Sequence, residues 1–368
     1  MNQVACRPGA FVSQCEELES PNMALRCRSC GGIRFAPVID LGETPLANAI
    51  VDPKAAGSAE QRYRLRAVFC KDCSLVQITE TVSPELLFSK YVYFSSFSDL
   101  AVSAAKAIAG RLVQSRNLNH SSLVIEAASN DGYLLQHYRD LGIPVLGIEP
   151  AVNIAEIAMA KGVPTDCAFF GRALGGQMAS RGIRCDVFHA NNVLAHVADL
   201  NGFVAGIAAM LKPDGVASIE VPYLGNLIDE LEFDTIYHEH LCYFSATALD
   251  HLFARHKMIL WDVERLSIHG GSLRLFVGHP GEQRTHRLEA LLRDEKARGL
   301  TEAPAYADFE SRVARLRKGL TAVLRDLKSS GKTIAAYGAS AKGATLLNFC
   351  GVGLRVIKRP NRIRQKTE

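Results

Sequence analysis

The chain has 368 residues, 48% of them hydrophobic and 22% charged, with a net charge of +4 at neutral pH. Domains commonly run to about 100–150 residues, so the length suits two or three of them, and the composition is ordinary for a soluble globular protein. The charge is too small and dispersed to argue for nucleic acid, and the absence of an apolar run of about 18 residues argues against a membrane span.

Residues 1–22 contain Glu16, Glu17 and Glu19 and have no continuous apolar stretch. They read as a disordered extension, not a secretion signal. From Met23 the pattern turns short and turn-rich. Two Cys-x-x-Cys pairs, Cys27/Cys30 and Cys70/Cys73, bracket apolar runs at 35–41 and 64–69 and a polar stretch at 51–61. A tetrahedral zinc site takes four soft ligands, and each pair offers two thiolates from one tight knuckle. Gly31 and Gly32 permit the positive φ angles that such knuckles use. Four cysteine ligands leave no open position, so the expected Zn²⁺ is structural and staples a core too thin to stand alone. The other cysteines are scattered and read as reduced thiols of a cytoplasmic enzyme.

The rhythm then changes. The spacing predicts a helix over 101–112, a strand over 123–127, a helix over 133–141 and a strand over 145–148. A helix over 154–161, a strand over 186–190 and a helix over 200–211 follow, then a turn at 212–215 announcing a strand over 216–221. Strands alternating with helices imply a parallel sheet covered on both faces. Runs at 259–263 and 272–277 predict a closing pair of strands with an antiparallel edge. Residues 285–329 predict a charged two-helix connector. A strand over 333–337 would then open a strand–glycine–helix unit at Gly338-Ala-Ser-Ala-Lys342-Gly343. The Lys- and Arg-rich tail after Gly353 reads as a solvated terminus.

In open α/β sheets, ligands bind at the carboxyl ends of the strands near the reversal in strand order. Here the first parallel strand ends in Glu126-Ala-Ala-Ser-Asn-Asp-Gly132. The segment lacks the G-x-G-x-x-G that seats a pyrophosphate on a helix N-terminus, which weakens NAD and FAD. Glu126 and Glu149 end two strands, with Asn130, Asp131 and Gly132 in the intervening turn. Glu149 is placed to accept hydrogen bonds from ribose hydroxyls, and an acidic loop suits a cationic ligand with an amino-acid end. Those are the needs of S-adenosylmethionine. Asn191 and Asn192 add amide groups to the same rim, or form a turn motif of their own.

The segment Phe233-Asp-Thr-Ile-Tyr-His-Glu-His240 follows the strand over 216–221 and should overhang the same crevice. Its histidines are two apart, unlike the one-turn spacing of the His-Glu-x-x-His zinc motif. A proton-transfer role fits better, because neutral imidazole, with an ordinary pKa of about 6.5, accepts a proton at neutral pH and a phenol or carboxylate can orient it. His196 and Tyr91 are further candidates for that cavity. His137, His251 and His256 fall in helical segments and read as surface residues.

Together these motifs resemble those of the nucleotide-sugar C-methyltransferases, which use S-adenosylmethionine to methylate C3 of 4-keto-deoxysugars. The resemblance rests on the cysteine pairs, Leu41-Gly-Glu-Thr-Pro-Leu-Ala-Asn48, Tyr91-Val-Tyr-Phe-Ser-Ser-Phe-Ser98, the Glu126 and Glu149 loops and Asn191-Asn-Val-Leu-Ala-His-Val197. Phe233–His240, His269-Gly-Gly-Ser-Leu-Arg274 and Gly338–Gly343 extend it. It implies a class I S-adenosylmethionine-dependent methyltransferase fold, an α/β Rossmann-like seven-stranded sheet, flanked by an N-terminal zinc-binding module and an incomplete C-terminal Rossmann-like domain. The implied parts are an extension at 1–22, a zinc-binding domain at 23–90, the methyltransferase domain at 91–284, a helical connector at 285–330 and a truncated nucleotide-sugar domain at 331–368. The divergent end is expected to weaken sugar binding and spare the cofactor.

The resemblance also implies roles. His240 would remove the proton at C3, Tyr237 and Glu239 would position or polarise it, and Tyr91 and His196 would line the sugar pocket. His238, His269, Arg274 and Lys342 would face the substrate. The implied partner is a nucleotide-linked keto-deoxysugar, with no nucleic acid or membrane, and the expected assembly is a monomer or weak homodimer. The residues themselves leave open methylation of an oxygen or nitrogen on another metabolite, and a catalytically impaired homologue or binding module.

Overall fold

The computed structural model describes residues 25–49, 60–88, 93–338, 340–353 and 356–357. The expected extension at 1–22, most of the polar stretch at 51–61, Tyr91 and most of the basic tail lie outside them. The chain forms two compact units. One contains Pro84–Asn191 and Gly202–Ser218; the other contains Arg34–Ser83, Asn192–Asn201 and the chain from Ile219.

The first strands are β1 (Phe35–Pro45), β2 (Arg62–Cys70) and β3 (Val76–Ile78), followed by the short helix α1 (Pro84–Phe88). β1 and β2 pair antiparallel from Phe35↔Cys70 to Pro45↔Arg62, with a register shift between Asp40 and Glu43. Gly42 supplies the irregularity: its φ is +76°, and its N–H donates to Asp40 Oδ1 at 2.9 Å. A side chain there would resist that backbone angle.

Next come α2 (Asp99–Ser115), β4 (Val124–Ala127), α3 (Leu135–Arg139), β5 (Val145–Ile148), α4 (Val152–Ala160), β6 (Thr165–Asp166), α5 (Arg172–Ser180), β7 (Cys185–Asn191), α6 (Leu200–Met210) and β8 (Leu211–Pro222). α2 starts where Ser98 accepts the Ala101 N–H, and it buries Ala105, Ile108, Ala109 and Leu112, one stripe at helical spacing. β4 and β5 are buried almost throughout, the pattern of parallel strands covered on both faces. The turn expected at 212–215 is instead part of β8. Lys212 Nζ donates to both Asp186 oxygens at 2.8–2.9 Å, and a Cβ on Gly215 would lie 2.9 Å from the Cys185 carbonyl, so the segment is held against the start of β7.

The remaining elements are α7 (Leu224–Glu230), β9 (Cys242–Tyr243), α8 (Ala246–Arg255), β10 (Ile259–Leu266), β11 (Ser272–Gly278), α9 (His286–Ala297), α10 (Phe309–Ser329) and α11 (Ala341–Cys350). The ladders order four strands as β1–β2–β3–β9 and seven as β10–β11–β8–β7–β4–β5–β6. β4 pairs parallel with both β5 and β7, so the chain direction of assembly reverses there, whereas β10 and β11 pair antiparallel at the edge. This is the α/β sheet of the class I methyltransferases, with its reversal beside the loops after β4 and β7. Residues 285–329 hold two helices, α9 and α10, as their charged helical pattern implies. One expectation fails: 333–337 forms no strand among the described residues beyond a single bridging position at Ala335, and Tyr337 is fully exposed. A strand needs a ladder to satisfy its backbone, and none forms along this run. No helix of the described residues is long and apolar enough to cross a membrane.

Candidate active site

The cysteine pairs build two knuckles of the same design. Cys27 accepts from Gly31 N–H at 2.9 Å and donates to Gly32 at 2.8 Å; Cys70 accepts from Ser74 N–H at 3.0 Å and donates to Leu75 at 2.8 Å. Gly31 (φ +72°) and Ser74 (φ +64°) make the left-handed turn, so the second knuckle reaches it without glycine. The four Sγ atoms lie within 4.8 Å of one another, and three of the cysteines are buried. A tetrahedral zinc with bonds of about 2.3 Å needs four sulfurs this close, so Cys27, Cys30, Cys70 and Cys73 fit the ion and fill its coordination shell.

Strained backbone gathers at the end of β4. Ala128, Asn130 and Gly132 have φ of +52°, +50° and +77°. Positive φ at two non-glycine residues in one short loop costs energy and clusters where a ligand needs an unusual backbone. Gly132 cannot be replaced cheaply, because a Cβ would stand 2.9 Å from Val163. Asn130 clamps a neighbouring segment: its Oδ1 accepts from Ser95 N–H at 2.8 Å and its Nδ2 donates to the Tyr93 carbonyl at 3.1 Å. Sequence spacing gave no hint of that anchor.

Glu149, 4% exposed, accepts from the N–H groups of Asn130 (3.0 Å) and Ala151 (2.9 Å). Burial pushes its pKa up while those two bonds pull it down. Each carboxylate oxygen retains a second acceptor site. Asp131 is buried and pairs through Oδ2 with Lys161 Nζ at 2.7 Å, a partner absent from the sequence reading. The acidic loop is therefore partly neutralised. Its Oδ1, and Oδ1 of Asn191 at the end of β7, are enclosed without a hydrogen-bond partner among the described residues. Glu126 is buried on β4 beside His189 of β7. Asn192 follows with φ +53° and donates its N–H to the Glu220 carbonyl at 2.9 Å. Unspent acceptors around a strained loop at the reversal of the sheet suit a polar, amine-bearing ligand such as S-adenosylmethionine.

The histidine segment is organised by backbone carbonyls. Residues Phe233–Thr235 form one tight turn, and the Thr235 carbonyl accepts from His240 Nδ1 at 3.0 Å. A carbonyl can only accept, so Nδ1 carries the hydrogen and Nε2 keeps the lone pair in the neutral ring. Tyr237 Oη lies 2.9 Å from that Nε2 and donates to it. The Tyr237 and His240 rings are 4.2 Å apart, and the His196 ring meets His240 edge-on at 4.8 Å. His196 is partly exposed, yet its Nδ1 is fully enclosed. Burial lowers its pKa to about 4, opposed by backbone bonds to Glu239 and Asn192, so the ring is neutral at pH 7. Glu239 is buried, accepts from Asn48 Nδ2 at 2.7 Å, and is pushed up by burial more than that bond pulls it down. Asn48 belongs to a motif that the sequence singled out without assigning it a partner. Tyr243 Oη donates to the His240 carbonyl at 2.9 Å, bracing the turn.

Other candidates lie elsewhere. His238 is 1% exposed, donates Nε2–H to the Arg64 carbonyl at 3.2 Å and packs edge-on against Tyr63. It fastens β2 to the turn, its ring enclosed between the Arg64 carbonyl and Tyr63. Arg274 is likewise internal: it pairs with Glu220 at 2.6 Å and Glu264 at 3.4 Å, and is 7% exposed. Its place in the middle of β11 leaves the guanidinium to neutralise strand neighbours. Lys342, in the first turn of α11, faces Glu232 and Asp234, whose pKa values burial raises and Lys342 lowers. His269 sits in the turn Ile268–Gly270, its side chain outside the described set. Among the helical histidines, His251 is exposed, whereas His137 and His256 are partly buried, and His256 bonds Asn201 at 2.9 Å.

Three family models match the chain: "Putative zinc binding domain" over residues 27–88, "Methyltransferase domain" over 103–256 and "C-methyltransferase C-terminal domain" over 267–361. C-methyltransferase NovU of Streptomyces niveus is 33% identical over 334 residues, 90% of this chain and 80% of that protein. Ubiquinone biosynthesis O-methyltransferase of Bartonella quintana is 29% identical over 94 residues, 25% of this chain and 38% of that one. Among solved structures, magnesium protoporphyrin IX methyltransferase of Synechocystis PCC 6803 with bound SAM is similar at 13% identity and a TM-score of 0.39, covering 51% of this chain and 85% of that one. The chain thus belongs to the S-adenosylmethionine-dependent C-methyltransferases that carry a four-cysteine zinc site ahead of the methyltransferase sheet.

Proposed function

We propose that this C-methyltransferase acts at C3 of a nucleotide-linked 4-keto-deoxysugar, with His240 as the base. The observation that carries the reading is the Thr235 carbonyl, which fixes hydrogen on Nδ1 and leaves Nε2 as the acceptor. A hydrogen on carbon beside a ketone is acidic enough for imidazole to take, because the resulting charge spreads onto the ketone oxygen. Tyr237, whose hydroxyl donates to Nε2 at 2.9 Å, must turn aside for the substrate and can then donate to that oxygen. Neutral His196 keeps a second positive charge away from His240, so protonating the base is not penalised by a like charge.

S-adenosylmethionine would supply the electrophilic methyl group here, a carbon made reactive by its cationic sulfur. In this reading Glu149 accepts from the ribose hydroxyls, Asn191 and Asp131 meet the amino-acid end, and the Asn130–Gly132 backbone borders the adenosyl group. Glu126, Asn192 and Tyr91 complete the assignment of the rim and pocket. Lys342 remains a candidate on the nucleotide side. The division into a zinc-binding part at 23–90, a methyltransferase part at 91–284, a connector at 285–330 and a C-terminal part from 331 belongs to the same proposal, as does a cytoplasmic monomer or weak dimer.

The test is solvent deuterium exchange at C3 of a thymidine diphosphate-linked 4-keto-6-deoxyhexose, followed by product analysis. The wild-type protein should exchange and form a new carbon–carbon bond. His240→Asn should lose exchange by about 100-fold or more while binding S-adenosylmethionine normally. Undiminished exchange in that variant would reject the base, and an O- or N-methylated product would reject the reaction.

A further inference from the structure

We propose that α11 is a positioning element for His240, with Phe349 and Lys342 holding the turn whose carbonyl selects the imidazole tautomer; the inference rests on the reading of His240 as base. The atoms form a short chain of contacts. Thr235, which supplies the carbonyl to His240 Nδ1 at 3.0 Å, closes the turn Phe233–Thr235. Phe233, at the other end of that turn, is 2% exposed and packs on the Phe349 ring with centroids 5.1 Å apart. Arg317 of α10 in turn lies 4.8 Å from the centre of the Phe349 ring. Between these, Glu232 and Asp234 straddle Phe233 and feel the charge of Lys342.

The turn has little freedom of its own. Leu231, just before it, stands at φ +56°, and the Phe233 N–H bonds back to the Leu231 carbonyl at 2.7 Å. A Cβ on Gly270 would overlap the Glu232 carboxylate, so a glycine turn walls in its other side. The helix that grips the turn is itself well stopped at both ends: Ser340 Oγ accepts from Gly343 N–H at 3.2 Å, and Gly351 ends it at φ +67°. A rigid helix thus clamps a strained turn through one ring and one ammonium group.

The consequence is chemical. In a neutral imidazole one nitrogen holds hydrogen and the other the lone pair, and their energies in isolation are close. A carbonyl 3.0 Å from Nδ1 settles the choice, because only the tautomer with hydrogen there makes the bond. If the turn loosens, Thr235 O withdraws, both tautomers become populated, and part of the protein presents an N–H where a base is needed. Neither Phe349 nor Lys342 touches the reacting atoms in this account. They act through Thr235.

The experiment uses the full chain labelled with 15N-histidine, its His240 signals assigned by comparison with His240→Gln. Long-range proton–nitrogen spectra of the parent should show Nδ1 protonated and Nε2 bare at pH 8. In Phe349→Ala the nitrogen shifts should move toward each other as the tautomers mix, and Lys342→Met should do the same to a smaller extent. Phe349→Tyr should restore the parental pattern. Exchange at C3 of a thymidine diphosphate-linked 4-keto-6-deoxyhexose should fall about tenfold in Phe349→Ala, with S-adenosylmethionine affinity unchanged. If Phe349→Ala does not fold, Phe349→Leu and Lys342→Met carry the test. Unchanged nitrogen shifts in the folded variants overturn the inference, even where His240→Asn abolishes exchange. Mixed tautomers with undiminished exchange, in those variants and in His240→Asn alike, leave the clamp standing and reject His240 as the base.

Discussion

His196 shows how an uncharged histidine can serve a charged neighbour. Its folded pKa of about 4 lies below the ordinary 6.5 because burial penalises the imidazolium. Between those values the unfolded chain binds more protons than the folded one, so this residue's contribution to stability is intact above pH 6.5 and is lost as pH falls toward 4. Glu239 and Glu149 are shifted upward by burial and act in the opposite sense, so the measure is the difference between variant and parent. The urea midpoint of His196→Gln should fall less than that of the parent between pH 7 and pH 4.5. Equal losses would mean that the ring is solvated. The same residue scale separates His238 from His240, two positions apart with opposite fates: one bonds the Arg64 carbonyl inside the unit, the other meets Tyr237. Residue type alone could not divide them, since what differs is the direction of each side chain from the turn.

At the scale of elements, β11 illustrates the cost of an internal charge. Arg274 sits between Glu220 of β8 and Glu264 of β10 and is nearly excluded from water. Removing one partner of such a cluster strands the other charges in a low-dielectric setting. Arg274→Met should therefore lower the free energy of unfolding by roughly 3–5 kcal/mol, measured by urea denaturation, and the Arg274→Met/Glu220→Leu double variant should recover part of it. A loss confined to substrate affinity, with stability untouched, would return Arg274 to the substrate side. Elements with strong periodicity were legible beforehand: the stripe of α2 and the strand at 145–148 lie where the pattern placed them. The start of β8 and the run at 333–337 were not, because each depends on whether a neighbour lies alongside to accept backbone bonds.

For the molecule as a whole, the zinc site is a folding device. Four thiolates close two knuckles that frame β1 and β2 in sequence, and metal binding free energy is folding free energy when the unfolded chain lacks a formed site. Purified protein should carry one zinc per chain. Cys70→Ser should lose it, with a lowered Tm and greater proteolysis near residues 25–80, read by metal analysis and limited digestion. A variant that keeps its metal and its melting temperature would contradict the four-ligand assignment. The family to which the chain belongs ties this module to C-methylation, and positive φ angles at non-glycine residues gather in the loops after β4 and β7.

The resemblance of its motifs to a known family carried the methyltransferase class, while the sequence by itself determined the four-cysteine metal site and the alternating α/β sheet with its antiparallel closing pair. Those features are written in local terms: ligand spacing, apolar period and loop composition. Only the tertiary structure decided that Asn48 bonds Glu239, that Lys161 balances Asp131, that Arg274 and His238 are internal, and that the Thr235 carbonyl chooses which nitrogen of His240 is bare. Each of these is a meeting of particular atoms in space, some between residues far apart in the chain, and no periodicity records which atoms folding will bring together.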